Sequence, residues 1–139
     1  MEGAIRGRDL PRVHLTGVKR GTDLATAYAS ADVFAMPSTT ETFGNVTLEA
    51  MASGVPVLAV AAGGVLEFGR TYENCLLADP ARPDELAAGL DRLLADDSLR
   101  EQLAAGGRTT ALDRRWEPIF DALVSDYQAI AAAGMVAAA

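Results

Sequence analysis

Apolar residues along the chain form short runs that alternate with stretches of helical spacing. The short apolar segments at residues 13–16, 33–36 and 57–60 predict β-strands, and Leu76-Leu77 marks a fourth. The segment 57–60 is apolar throughout, which is typical of a parallel strand covered on both faces. We therefore expect a sheet with at least one fully buried strand.

Helical periodicity predicts the elements between and after these strands. Apolar residues at i, i+3, i+4 and i+7 predict a helix over residues 23–30 with Thr22 or Asp23 as its cap. Residues 46–53 have helical spacing, and Gly54 with Pro56 ends that helix. Pro83 opens a further helix whose leucines share one face.

Two more helices are predicted near the end of the chain. Asp97 or Ser98 caps the first, which Gly106-Gly107 interrupts, and the second begins near Glu117-Pro118. The last helix aligns five apolar side chains on one side: Phe120, Leu123, Val124, Tyr127 and Ile130. Trp116 and Tyr127 are expected to pack in a core or between domains.

Alternating strands and helices indicate an α/β domain with parallel strands and right-handed crossovers. Ligands of such open sheets bind beyond the carboxyl ends of the strands. This rule places residues 38–45 and 61–64 on one rim, because both segments follow predicted strands. We expect one domain over residues 1–132 and a disordered tail over residues 133–139.

The candidate chemistry lies on that rim. Glu41 and Glu49 are two carboxylates on either side of a loop-to-helix junction. Backbone N–H groups of residues 43–45 lie at the helix start, where the macrodipole favours an anion by roughly 0.3–1 kcal/mol. Gly44 permits close approach of a ligand to the backbone, so a sugar diphosphate is a suitable guest. The alternative is that Glu49 only complements the helix dipole, that Glu41 is a solvated loop acid, and that the glycines only form turns.

The block from Ser38 to Val57 resembles the E-x7-E signature of retaining nucleotide-sugar glycosyltransferases of family 4, which have the two-domain GT-B fold. The resemblance extends over most of the chain. It includes Val13-His-Leu-Thr-Gly17, Tyr28-Ala-Ser-Ala-Asp32-Val-Phe, Gly63-Gly64 with Glu67, Asn74 before Leu76-Leu77, and Trp116-Glu117. It implies the later part of the C-terminal, donor-binding domain.

The resemblance implies a fold and a set of site residues. The family's Rossmann-like parallel sheet has the strand order 3-2-1-4-5-6, and this chain would lack its first two strands. Glu41 corresponds to the catalytic glutamate that faces the transferred sugar, and Glu49 to the ribose ligand. The donor-binding residues expected on this basis are Ser38, Phe43, Gly44, Asn45, Val46, Thr47, Glu49, Gly63 and Gly64.

The implied reaction moves a hexosyl group from a UDP-, GDP- or ADP-sugar to a hydroxyl acceptor with retention of configuration. No cofactor and no metal are expected. An N-terminal domain absent from this chain would bind the acceptor, and the family's diphosphate-binding Arg and Lys would precede residue 13. Cys75 departs from the family by replacing the glycine of an Asn-Gly turn.

Two other functions fit the same pattern. A truncated, non-catalytic module would bind nucleotide weakly or associate with another chain, for example through an exposed sheet edge at residues 33–36. A nucleotide-sugar epimerase or a two-carboxylate hydrolase would use the same architecture, and the products of the reaction would identify it.

Composition restricts the partners and the location. The net charge of −7 argues against nucleic acid and against an anionic membrane surface as partners. A single His and a single Cys cannot form a zinc site or an internal disulfide. The apolar end of the chain, residues 131–139, is too short to span a bilayer, so no transmembrane segment is expected. We expect a cytoplasmic protein.

Overall fold

The computed structural model describes the backbone of residues 12–137 and the side chains of residues 12–133. Its centre is a three-stranded parallel sheet in the order β1-β2-β3, formed by Phe34–Met36, Val57–Val60 and Leu76–Ala78. Ala35 pairs with Leu58, and Ala59 pairs with Leu77. The predicted α/β class with parallel strands is confirmed.

Helices precede, connect and follow the strands. Their bounds are Gly21–Ala29 for α1, Asn45–Ala52 for α2, Val65–Phe68 for α3, Pro83–Ala95 for α4, Asp97–Leu112 for α5 and Trp116–Ala137 for α6. Helix α2 connects β1 to β2, and α3 lies between β2 and β3. The sequence analysis did not predict α3, which is a single short turn after Gly63-Gly64.

The core lies on both faces of β2, all four residues of which are buried. On one face Val57 and Ala59 pack with residues of α2 and α3, including Met51 and Phe68. On the other face Leu58 packs with a group of leucines from β3, α4 and α5: Leu76, Leu93, Leu99 and Leu103. Each large side chain buried in this way stabilises the fold by about 1.5–3 kcal/mol. Covering both faces fixes β2, and therefore fixes where its carboxyl end emerges.

The strand predicted at residues 13–16 is wrong. Within the described residues this segment has no strand partner, and Val13 and Leu15 are about half exposed. A strand needs a neighbour to satisfy its backbone hydrogen bonds. Among residues 12–137 β1 pairs only with β2, so β1 is an edge of the described three-stranded sheet.

The interruption predicted at Gly106-Gly107 is also wrong, because α5 is continuous from Asp97 to Leu112. These glycines allow close packing instead of breaking the helix. A Cβ atom on Gly106 would collide with the carbonyl oxygen of Glu73, and one on Gly107 would lie 3.1 Å from Cγ of Met51. The pair lets α5 approach both α2 and the turn before β3.

Helix caps match the predictions in part. Pro83 begins α4 as predicted. The cap of α5 is Asp96, one residue before the predicted Asp97, and its carboxylate accepts a hydrogen bond from the Leu99 N–H at 2.9 Å. The predicted caps of α1 are wrong, since Arg20 holds that position without a side-chain hydrogen bond and Thr22 and Asp23 lie inside the first turn.

Cys75, where the family resemblance implies a turn glycine, is fully buried in the core. The non-glycine residue with positive φ in this region is Tyr72, at 64°. The backbone before β3 therefore makes its left-handed turn three residues earlier than the Asn-Gly pattern implies. A cysteine fits at position 75 because no left-handed conformation is required there.

Helix α6 begins at Trp116, close to its predicted start, and exposes its apolar residues. Trp116 and Tyr127 are more than 60% exposed, so they do not pack in the core of the described region, and packing against another domain stays a prediction. The helix continues to Ala137, beyond the predicted domain boundary at residue 132, and residues 138–139 lie outside the described part. None of the described helices is both long enough and apolar enough to cross a membrane.

Candidate functional site

The loops that follow β1 and β2 touch each other at the carboxyl edge of the sheet. The Gly64 N–H donates a hydrogen bond of 3.0 Å to the carbonyl oxygen of Glu41. A Cβ atom on Gly63 would collide with that same oxygen, and one on Gly64 would collide with the backbone of Phe43. The prediction that residues 38–45 and 61–64 share one rim is confirmed, and the glycines are what allow the contact.

Gly44 forms the junction between the first loop and α2. Its φ of 76° is in the left-handed region that favours glycine. A Cβ atom at this position would lie 2.8 Å from Cε1 of Phe68. Both the backbone angle and the packing therefore require glycine here.

Glu41 is half-buried beside this junction. Its Oε1 accepts a hydrogen bond of 3.2 Å from the Gly44 N–H, at the amino-terminal end of α2. This end of the helix carries partial positive charge from its unsatisfied N–H groups. This hydrogen bond orients one oxygen of the Glu41 carboxylate toward the start of the helix.

Glu49 is exposed further along α2, where two grooves meet. A groove of about 330 Å³ lies between α1 and α2, and a second of about 270 Å³ lies between α2 and the α5–α6 junction. Oε2 of Glu49 accepts a hydrogen bond of 3.3 Å from the Tyr28 hydroxyl. Burial raises the pKa of Tyr28, and the nearby Glu49 carboxylate raises it further. The hydroxyl therefore remains protonated, and able to donate, at neutral pH.

The other predicted site residues lie on or under the same rim. The Ser38 hydroxyl accepts a hydrogen bond of 3.4 Å from the Thr40 N–H, and Phe43 is 72% exposed. Asn45 and Val46 are exposed in the first turn of α2. Thr47 is different because only 1% of the whole residue is exposed, which places it under the rim and not on its surface. The structure thus gathers Glu41, Gly44 and the two loop glycines closely, with Glu49 farther along the helix.

Sequence reasoning missed three residues beside Glu49. Tyr28 belongs to the family-like segment at residues 28–34, but no sequence signal links it to a carboxylate 21 residues away. Arg114 and Trp116 line the second groove with Glu49, and the Arg114 guanidinium lies 5.7 Å from the Phe68 ring centroid. A contact between α2 and the α5–α6 junction depends on tertiary packing, which local periodicity does not report.

The described residues do not form a metal-binding cluster. Among the described residues no three side chains of His, Cys, Asp or Glu come together in a way that could hold an ion.

Comparison with known proteins gives consistent matches. The family model described as "Glycosyl transferases group 1" matches residues 5–110. The D-inositol 3-phosphate glycosyltransferase of Salinispora arenicola is 42% identical over 115 residues, which are 82% of this chain and 26% of that protein. The GDP-mannose-dependent alpha-mannosyltransferase of Mycolicibacterium smegmatis is 39% identical over 122 residues, which are 87% of this chain and 32% of that protein.

Solved structures show the same similarity. Sucrose-phosphate synthase from Thermosynechococcus elongatus superposes with a TM-score of 0.86 at 35% identity, over 95% of this chain and 34% of that one. HepE from Anabaena, crystallised with UDP, superposes with a TM-score of 0.70 at 28% identity, over 78% of this chain and 30% of that one. The chain spans between a quarter and about a third of these four proteins. The predicted Rossmann-like architecture of a GT-B C-terminal domain is confirmed.

Proposed function

Because the chain belongs to the group 1 glycosyltransferase family, we propose that it forms the donor-binding part of a retaining enzyme of family 4. The donor is a UDP-, GDP- or ADP-sugar, and a hexosyl group passes to a hydroxyl acceptor. The observation that carries this proposal is the contact between the two loops, which brings Glu41, Gly44 and Gly63-Gly64 to the amino-terminal end of α2. The HepE structures that contain UDP and UDP-glucose belong to a similar protein and support this class of donor.

The amino-terminal end of α2 is suited to the leaving diphosphate. The first turn of a helix offers N–H donors and partial positive charge, both of which stabilise an anion. During transfer the bond between the sugar C1 and the diphosphate oxygen breaks, and a new bond forms on the same face to the acceptor oxygen. The acceptor proton leaves with the diphosphate. Stabilising the developing negative charge on that diphosphate lowers the barrier without a metal.

The two glutamates would hold the parts of the donor on either side of the diphosphate. One oxygen of Glu41 is engaged by the Gly44 N–H, and the other can accept hydrogen bonds from hydroxyls of the sugar. The exposed carboxylate of Glu49 can accept from both hydroxyls of a ribose diol. Charge-assisted bonds of this kind contribute about 1.5–3 kcal/mol each where water is excluded.

In this proposal the acceptor binds to a region outside this chain. The chain spans at most about a third of the relatives named above, and no acceptor-binding element is assigned to it. An N-terminal domain would bind the acceptor, and the Arg and Lys that face the diphosphate would lie on loops of the donor-binding domain before residue 13. We also propose a cytoplasmic location. The single buried thiol of Cys75 is compatible with such a reducing compartment.

Calorimetric titration of the chain with UDP, GDP and ADP tests this function. We expect one of them to bind, and Glu49→Gln to weaken its binding at least about tenfold, because a charged acceptor for the ribose hydroxyls is lost. Glu101→Gln is the matched control, since Glu101 is an exposed acid on α5, away from the rim. Absence of binding by all three at millimolar concentration, or equal affinity of Glu49→Gln and wild type, would contradict the proposal.

A second candidate function is a non-catalytic module that associates with another polypeptide. The exposed apolar side of α6 favours it, because large side chains such as Phe120 and Ile130 remain more than half exposed. Within the described part of the chain β1 has a strand partner on one side only, and its other edge offers a second surface for association. A monomeric chain with sugar-transfer activity would exclude this candidate.

A further inference from the structure

Tyr28 is a polar residue outside the glutamate motif that reaches the second glutamate. Its hydroxyl lies 3.3 Å from Oε2 of Glu49 and joins α1 to α2. Among the described residues this is the one side-chain hydrogen bond that Glu49 makes. The conformation of the Glu49 carboxylate therefore depends on a residue from a different helix.

The Tyr28 ring is held by the sheet and not by the glutamate. It packs edge-to-face on Phe34 of β1, with ring centroids 5.6 Å apart and an interplanar angle of 71°. The ring is half-buried and packs against the core cluster that contains Met51 and Val57. Such packing restricts an aromatic side chain that has only two rotatable bonds. The hydroxyl is thus presented to Glu49 from a fixed position.

The opposite side of the pair is open to a ligand. Oε1 of Glu49 accepts no hydrogen bond within the described part of the chain. Beside it, the groove of about 330 Å³ between α1 and α2 is lined by Leu24, Ala25, Tyr28 and Ser53. A ribose placed there could use the open oxygen of Glu49 while Tyr28 retains the other.

We propose that Tyr28 is a positioning residue that orients Glu49 toward the ribose diol of the donor. This inference rests on the proposed function, because it assumes that Glu49 binds ribose. Without the tyrosine hydroxyl an exposed glutamate samples several rotamers, and a ligand must immobilise it at an entropic cost. Because Tyr28 already holds Glu49 in place, the ligand does not bear that cost. The gain in affinity is therefore expected only for nucleotides that carry the ribose hydroxyls.

The test is Tyr28→Phe, which keeps the ring and its contact with Phe34 and removes only the hydroxyl. Calorimetry measures the Kd of UDP, GDP and ADP, and of the 2′,3′-dideoxy form of the one that binds. We expect Tyr28→Phe to raise the Kd of the ribose form about fivefold and to leave the Kd of the dideoxy form unchanged. Tyr127→Phe is the matched control, since Tyr127 lies exposed on α6 and should alter neither value.

If Tyr28 had a purely structural role, Tyr28→Phe would raise the Kd of both nucleotide forms equally. If it had no role, neither Kd would change. Either result overturns the inference while wild-type binding of the ribose form upholds the proposed function. If wild type binds none of the three nucleotides, the proposed function fails and the inference fails with it.

A ligand-free measurement checks the contact itself. Spectrophotometric titration of the tyrosines should show a lower pKa for Tyr28 in Glu49→Gln than in wild type, because the neighbouring negative charge is gone. An unchanged titration curve would mean that the pair does not form in solution, and this too would overturn the inference.

Discussion

At the scale of single residues, the glycines of the rim show how the site is made. Gly44 adopts a left-handed conformation against Phe68, while Gly63 and Gly64 leave no space for a side chain against the first loop. These residues let two loops meet backbone to backbone, so that the N–H groups and the Glu41 carboxylate lie at one place. The glycines allow the two loop backbones to come into contact, and the glutamates provide the negative charge.

Cys75 shows the effect of burial on a single titratable group. Burial raises the pKa of its thiol to about 11, from 9.0 for an exposed group. A raised pKa contributes stability that is fully present below pH 9 and is lost as the pH rises toward 11, because only the unfolded chain releases the proton in that window. We expect the free energy of unfolding to fall by about 2 kcal/mol across it.

Urea unfolding at a series of pH values measures this loss. Cys75→Ala is the comparison variant, since it has no thiol and its curve reports the titration of all other groups. Wild type should lose about 2 kcal/mol more than Cys75→Ala between pH 9 and 11. Parallel stability curves for the two proteins would contradict the prediction.

At the scale of elements, α5 depends on its glycines for contact with the rest of the fold. In an ordinary exposed helix position Gly→Ala stabilises a protein by about 1 kcal/mol. Gly106→Ala should do the opposite, since its Cβ would meet the Glu73 carbonyl oxygen and would lie 3.3 Å from Cα of Asn74. We expect a loss of more than about 2 kcal/mol in the free energy of unfolding, measured by urea denaturation.

The control for this prediction is Ala105→Gly, at the exposed neighbouring position of α5. It should cost about 1 kcal/mol from helix propensity alone. The account of α5 packing would be wrong if Gly106→Ala were as stable as wild type or more stable.

The sequence predicted those elements that depend on local signals. The buried run of β2 and the Pro83 start of α4 agree with the structure because each depends on residues within a few positions. The strand at 13–16 was predicted wrongly because a strand also needs a neighbour, which periodicity does not report. Gly106-Gly107 looked like a break for a similar reason, since the turn that explains it lies about thirty residues earlier in the chain.

The loops of the site were predicted from the sequence, but the contacts between its helices were not. The meeting of the two loops followed from the rule for parallel sheets, and their glycines were identified from the sequence. The hydrogen bond from Tyr28 to Glu49 and the groove at Arg114 were not predicted, because they join residues of different helices. The ligand roles of the two glutamates stay predictions.

At the scale of the whole molecule, α6 differs from the other long helices. Its large apolar residues recur with alternating spacings of four and three residues along one side: Trp116, Phe120, Leu123, Tyr127 and Ile130. All five are more than 40% exposed. Pairing with another helix would bury such a stripe and is therefore favourable. In solution the isolated chain offers only a second copy of itself.

We therefore expect the isolated chain to self-associate, as measured by sedimentation at rising protein concentration. Leu123→Asp should weaken the association because it places a charge in the apolar stripe. Ser125→Asp introduces the same charge at an exposed position outside the stripe and serves as the control. A wild-type chain that sediments as a monomer throughout would contradict this prediction and remove the support for the second candidate function.

The central claim is that the rim formed by the first two loops and α2 binds the donor. Titration of the isotopically labelled chain with UDP-glucose, GDP-mannose and ADP-glucose, followed by amide NMR spectra, tests it most directly. For one of these donors we predict the largest shifts at the N–H groups of Phe43, Gly44, Asn45 and Gly64, with a smaller change around Glu49. Shifts confined to another surface, such as the groove of about 280 Å³ between β3 and α4, or no shifts with any donor, would contradict the account.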